Sequence, residues 1–185
     1  MVPSTLALQL AHCIREDHLG RRRLASRVGL SEMTVRIELD RMRDAGWITM
    51  NRTGVGLTKH GERTFEPLLE PIRSVQPLDM LSLRTGPLTW SAHIRSRPVP
   101  SAWSLRDEAI RKGASGCVLL IFQSGEWAFT HNAEPVRMHN PGDANRIEHQ
   151  VADPFQGDLL VLVSAETDGI ASAALWSVIR ALEVH

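Results

Sequence analysis

Through the first third of the chain, apolar residues recur three and four positions apart. Leu6, Leu10, Cys13 and Ile14 share one face of a predicted helix over Thr5–Glu16, which Gly20 ends. A shorter helix over Arg21–Val28 turns Leu24, Ala25 and Val28 inward, and Gly29-Leu30 makes a tight turn. Ser31 is a helix N-cap by type and position. The helix it opens buries Val35, Leu39 and Met42 and stops at Gly46, where a left-handed residue is expected. A strand over 47–50, a turn through Asn51 to Gly56 and a return through Leu57 follow, and a fourth helix begins near Thr58.

The pattern changes after Pro77 and Pro87. Leu88, Trp90, Ala92 and Ile94 alternate as in a strand, and Ser104 is placed to cap a helix over 105–112 that Gly113 ends. Residues 117–123 and 126–130 read as a hairpin turning at Ser124-Gly125. A polar stretch over 131–143 leads to a helix over 144–151. A continuous apolar strand over 159–164 and an amphipathic helix over 169–182, with Ile170, Ala174, Val178 and Leu182 in line, close the chain. The order strand, helix, two strands, strand, helix predicts an α+β two-layer sandwich. The expected division is residues 1–66, a connector over 67–86, and a second domain over 87–185. The apolar positions Leu68, Leu69, Ile72 and Val75 suit either a packed linker or a dimer contact.

Charge adds a direction. The formal net charge is zero, but up to Phe65 eleven Lys/Arg face seven Asp/Glu, whereas beyond it ten face fourteen. A mildly basic head on an acidic body fits a nucleic-acid-binding module joined to one that binds something else. The longest apolar runs, 117–122 and 159–163, fall far short of the ~18 residues of a membrane span, so no membrane partner is expected. The N-terminus has no basic-then-apolar leader pattern. Cys13 and Cys117 sit in apolar segments and read as buried free thiols of a cytoplasmic protein.

The phrase LASRVGLSEMTVRIELDRMRDAGWI, with GLTKHG after the turn, resembles winged helix-turn-helix transcription regulators over about residues 4–70. The resemblance implies a third helix in the major groove of double-stranded DNA and a wing on the backbone or minor groove. On a helical wheel the face opposite Val35, Leu39 and Met42 centres on Met33 and Ile37, flanked by Thr34 and Arg41 on one side and Arg36 and Asp40 on the other. Ser31, Thr34, Arg36 and Arg41 suit phosphate or base-edge contacts. Met33 and Ile37 could meet thymine methyl groups or a protein surface. Arg21, Arg22 and Arg23 open the second helix and suit phosphates; Arg52 at the wing could reach a minor groove. A domain of this kind also serves protein or RNA contacts, with the arginines as a solvated face.

In the second half, SLRDEAIRKGASGCVLLIFQSGEWAF and the closing DLLVLVSAETDGIASAALWSVIRAL resemble an archaeal family that joins a winged helix to a C-terminal GAD-like domain. That module also occurs in proteins acting on tRNA, so the resemblance leaves a tRNA- or translation-associated role open beside transcription regulation. No catalytic signature is present: there is no G-x-S-x-G, CxxC, H-E-x-x-H or P-loop sequence, and neither an enzyme nor a cofactor is expected. His131, His139 and His149 lie near Asp143, Glu148 and Asp153, at spacings that match no closed metal site. Arg106, at the start of a helix, could hold an anionic small-molecule effector, although charged residues in a first turn are also ordinary. Among Trp90, Trp103, Trp127 and Trp176, Trp103 stands nearest Arg106, and these two are the candidate effector residues. Since one recognition helix reads only a few base pairs, a homodimer is expected, paired through 68–75 or the closing helix.

Overall fold

The computed structural model describes residues 2–17, 19–96, 98 and 101–183, and the chain divides into two compact units, Met1–Glu70 and Pro71–His185. The first contains α1 (Thr5–Glu16), α2 (Arg21–Val28), α3 (Glu32–Asp44), an antiparallel hairpin of β1 (Ile48–Asn51) and β2 (Gly54–Leu57), and α4 (Lys59–Leu69). This is the element order expected from the sequence: three helices, a hairpin and a fourth helix. Ser4, Ser31 and Thr58 start α1, α3 and α4 by accepting a hydrogen bond from the amide three residues on. Leu8, Leu10, Leu24, Leu39, Met42 and Phe65 are fully buried, each adding about 1.5–3 kcal/mol of apolar burial.

The end of α3 is where the hairpin is attached. Gly46, at φ 72°, lets its N–H reach the Arg43 carbonyl (2.8 Å) and the Trp47 N–H reach the Met42 carbonyl (2.9 Å). Thr58 then returns to the same corner: its N–H donates to the Trp47 carbonyl (2.9 Å) and its hydroxyl to the Gly46 carbonyl (2.6 Å). The Trp47 ring meets Phe65 edge-on at 5.3 Å. At residue 61 a Cβ would run into the Trp47 carbonyl oxygen, so only glycine lets α4 come this close. The helix continues through Pro67, which forfeits one bond near its end while Leu69 is wholly buried.

The second unit is built on a five-stranded antiparallel sheet in the order β3-β4-β7-β5-β6. Its strands are β3 (Ile72–Pro77), β4 (Leu88–Ile94), β5 (Gly116–Gln123), β6 (Glu126–Phe129) and β7 (Leu159–Ala165). The central β7 is buried along its whole length, as its unbroken apolar run requires. The β5–β6 turn has two successive positive φ values, 53° at Ser124 and 87° at Gly125, which match the twist of a tight hairpin. Helices α5 (Ala102–Arg111) and α8 (Asp168–Glu183) pack on each other and on the sheet. The other face is closed by α6 (Val136–His139), α7 (Pro141–Gln150) and the loop after β3, where Leu78, Met80, Val136 and Ile147 cluster with Leu120, Trp127, Leu160 and Leu162.

Four expectations change. Within the segment read as a connector over 67–86, residues 67–69 end α4 and Ile72–Pro77 forms edge strand β3; Ile72 pairs with Ile94 and Val75 with Ala92, across an irregularity at Arg73. Ser104 is not a cap, because α5 begins two residues earlier, at Ala102. The polar stretch over 131–143 contains α6, seated by the buried Val136. The two apolar surfaces assigned to dimer contact are also largely used up: Leu69, Ile72, Ala174, Val178 and Leu182 are all buried, and of the α8 stripe Ile170 alone is exposed among the described residues.

Two buried carboxylates hold the second unit's loops. Asp143, in the first turn of α7, accepts from the amides of Leu81 (2.5 Å), Ser82 (2.8 Å) and Leu83 (2.9 Å) and from the Ser82 hydroxyl (2.6 Å). Burial pushes its pKa up, but these bonds together outweigh it and hold the group below the usual carboxylate range. Asp158 accepts from the amides of Phe155 (3.0 Å) and Ser96 (3.1 Å) and from His93 Nε2 at 2.9 Å. Its pKa is likewise lowered, against burial, while burial lowers that of His93. An ionised carboxylate only accepts, so the neutral His93 carries its proton on Nε2.

Candidate nucleic-acid interface

In the first unit, the start of α2, the first turns of α3 and the tip of the hairpin enclose an open groove of about 810 Å³. Its walls are Gly20, Arg21, Arg22 and Arg23, then Glu32, Met33 and Arg36, and finally Thr53. Gly20 and the Gly29 turn set the geometry. With its φ of 69°, Gly29 lets the Leu30 N–H return to the Ala25 carbonyl (3.1 Å), so α2 stops short and α3 departs at once. Both helices thus present their first turns to one concavity. The hairpin tip is shaped by Asn51, whose Oδ1 accepts from the Thr53 amide (2.9 Å) and hydroxyl (2.6 Å) and from the Gly54 amide (3.1 Å).

Ion pairing sorts the arginines. Arg22 Nε lies 3.2 Å from Glu32 Oε1, and Arg41 lies 3.4 Å from the buried Glu38. Arg36 is 3.9 Å from Asp40, the outer limit of a contact. Arg21, Arg23 and Arg52 have no carboxylate partner among the described residues and are exposed. The groove therefore carries four guanidinium groups against one carboxylate, a positive lining suited to a polyanion. Further along α3, Arg43 is paired with Asp40 (3.1 Å) and Asp44 (3.5 Å), so the cations of that half are engaged by carboxylates.

Of the residues singled out from sequence, Arg21, Arg22, Arg23, Met33 and Arg36 line this groove together. Ile37 is 48% exposed one turn on from Met33, which is 62% exposed, and Arg52 stands on the hairpin tip. Ser31 and Thr34 are occupied otherwise: their hydroxyls lie 2.8 Å apart, and Ser31 accepts from the Thr34 amide. The Ser31 hydroxyl caps α3, and neither residue lines the groove. Thr53 and Glu32 were not singled out, although Thr53 follows an Asn-x-Thr turn and Glu32 precedes the two apolar residues that mark the outer face. The polar histidine segment also disperses. Glu148 holds Arg137 (2.6 Å), His139 lies 3.4 Å from Glu134, and His149 Nδ1 donates to the Asn145 carbonyl (2.7 Å).

In the second unit, Trp103 and Arg106 project from α5 beside a cavity of about 270 Å³, lined further by Cys117, Val118 and Leu119 of β5, by Phe129 at the end of β6 and by Thr130 and His131 after it. The guanidinium carbon of Arg106 lies 5.8 Å from the Trp103 ring centre. Burial pushes the Cys117 thiol up to about 12, so it stays protonated at neutral pH. Trp90 instead donates to Asp168 (2.9 Å), and Trp127 and Trp176 are buried.

Comparison with known proteins assigns the two halves separately. Residues 9–72 match the CggR N-terminal DNA binding domain, and residues 92–182 match a domain of unknown function, DUF4443. The chain thus carries an N-terminal DNA-binding domain of the CggR type followed by a DUF4443 domain. The fold is shared with the hypothetical protein PH0730 from Pyrococcus horikoshii OT3. The two are 22% identical with a TM-score of 0.78, over 98% of this chain and 93% of that one. No functionally curated protein matches the chain. Among the described residues, no helix is long and apolar enough to cross a membrane.

Proposed function

We propose that the protein is a DNA-binding transcriptional regulator. In this reading the first turns of α3 enter the major groove, Arg21 and Arg23 grip flanking phosphates, and Arg52 and Thr53 follow the backbone or minor groove. The C-terminal domain senses an effector or mediates assembly. The observation that carries the reading is the arginine-lined groove shared by α2, α3 and the hairpin tip, within a region matching a DNA-binding domain. Arg36, with its loose partner, is the group placed to take guanine bidentately. A duplex ligand in turn makes the cytoplasm the place of action. The GAD-like assignment of the C-terminal domain, and an archaeal affiliation, rest on the phrase around Arg106-Asp107-Glu108.

A mobility-shift titration of the full chain on its own upstream DNA, competed with tRNA, tests this. A discrete shift resisted by tRNA supports the reading. Retarded tRNA with no preference among duplexes replaces it with a tRNA- or translation-associated role.

A homodimer belongs to the same proposal, because pairing adds a second half-site's contacts. Since the α8 stripe and the start of β3 are buried and β6 is bridged by Pro135, the partner surface is sought at the β3 edge of the sheet. Light scattering should return about twice the 20.6 kDa chain mass. A monomer both free and on DNA overturns it.

A further inference from the structure

The geometry points to a ligand class for the α5–β5 cavity: a small monocarboxylate with a flat apolar body. The inference rests on the reading of the C-terminal domain as a sensing unit and names what that unit would sense.

The cavity arises from a mismatch in strand length. Strand β5 pairs with β7 from Gly116 to Ile121, but with β6 only from Leu120 to Gln123. Thr130 ends the pairing on the β6 side, its amide and hydroxyl both donating to the Leu119 carbonyl (3.3 and 3.2 Å). Before Leu119 the β6 side of β5 has no strand partner. Phe122 turns its N–H toward the β7 side, to the Asp158 carbonyl (2.8 Å), and alternation then turns the main chain of Cys117 and Leu119 toward the gap. The Cys117 main chain, N–H and carbonyl together, therefore faces a cavity instead of a neighbouring strand.

Its charge is simple. Arg106 is the only lysine or arginine in the lining, and none of the lining residues is acidic. Arg106 has no carboxylate partner among the described residues, whereas Glu108 on the same helix is engaged by Arg111 (2.9 Å) and by the Ser177 hydroxyl. With Cys117 protonated, the lining at neutral pH offers one permanent positive charge, which one carboxylate would balance through charge-assisted hydrogen bonds. A phosphomonoester would bring close to two negative charges to a single guanidinium.

The walls specify the rest. Val118, Leu119 and Phe129 are apolar, and Trp103, beside Arg106, leaves 70% of its surface in water. A flat body covering the indole removes apolar area from water, while its carboxylate meets the guanidinium. At about 270 Å³ the space suits a metabolite smaller than a drug-sized ligand.

The test is calorimetric titration of the full chain, without DNA, with benzoate, benzamide and benzylamine as probes. Benzoate should bind at least about tenfold more tightly than benzamide, with benzylamine weakest. Arg106→Gln should erase the preference for benzoate, Arg106→Lys should keep part of it, and Trp103→Ala should weaken benzoate and benzamide alike. Both side chains are exposed, and circular dichroism checks that the variants stay folded. Equal binding of benzoate and benzamide, no binding of benzoate at millimolar concentration, or unchanged benzoate binding by Arg106→Gln would each overturn the inference. Because no DNA is present, such a failure leaves the DNA-binding reading untouched.

Discussion

Glu32, the first residue of α3, holds Arg22 from the first turn of α2 at 3.2 Å, across the groove assigned to DNA. The carboxylate occupies an arginine that would otherwise be free for phosphate and adds a negative charge where the polyanion must sit. Both side chains are largely exposed, so the pair contributes little to folding. Glu32→Gln should therefore raise affinity for DNA of any sequence by roughly three- to tenfold at low salt and steepen the salt dependence. Fluorescence anisotropy over a range of salt concentrations measures both, and unchanged affinity would remove Glu32 and Arg22 from the interface.

Arg36 differs from Arg21 and Arg23 in what its loss should do. Arg36→Ala should weaken binding to a selected site by roughly 1–3 kcal/mol and relax the preference at one base pair. Arg21→Ala or Arg23→Ala should weaken binding across sequences and reduce the salt slope by about one. Competition against a scrambled duplex separates the two patterns. Equal binding of the Arg36 variant and the parent on the selected site would exclude a reading role for that helix.

Met33 and Ile37 leave apolar side chains exposed on the face that the proposal assigns to the duplex. Their chemistry suits the thymine methyl group. Replacing thymines of the selected site by deoxyuridine, one at a time, should reduce affinity at one or two positions. Met33→Ala or Ile37→Ala should remove the sensitivity at the matching position. A site indifferent to every such replacement would leave these residues for a protein surface.

Asp143 makes a prediction about acid. Its pKa in the folded chain is depressed, so its contribution to stability is present above the ordinary carboxylate range and is lost as pH falls through the depressed value. Asp143→Asn should destabilise the chain by about 1.5–3 kcal/mol at neutral pH and flatten the acid side of the stability profile. Urea unfolding at a series of pH values reads both effects. A variant as acid-labile as the parent would show that the loop over 81–83 is held by something else.

What the amino-acid order reveals and what it hides divide along the range of the interactions. The helices of the first unit are legible because caps and stripes act within a turn or two: Ser31 with Thr34, Val35 with Leu39 and Met42. Strand β3 is not, because four of the six residues of Ile72–Pro77 are polar or proline and the segment becomes a strand only against β4, whose paired residues lie 13 to 22 positions later. Asp143 looks like one acid in a histidine-rich loop until its partners are met about sixty residues upstream. The restraint of Arg22 by Glu32 is equally invisible, because the nine intervening residues contain a helix end and a turn. Trp103 and Arg106 could be singled out by residue type, but the cavity beside them exists only because β6 stops before β5 does.

The junction at Gly46, Trp47 and Thr58 also gives the DNA-facing surface a fixed gauge. The base of the hairpin is hydrogen-bonded to the last turn of α3 and packed edge-on against α4 through Trp47 and Phe65. The span from Met33 to the hairpin tip is therefore set before any duplex arrives, much as the jaws of a calliper are locked before measuring. A binding site would then have to match that opening. Lengthening the hairpin moves one jaw, while the bases read by the other stay the same.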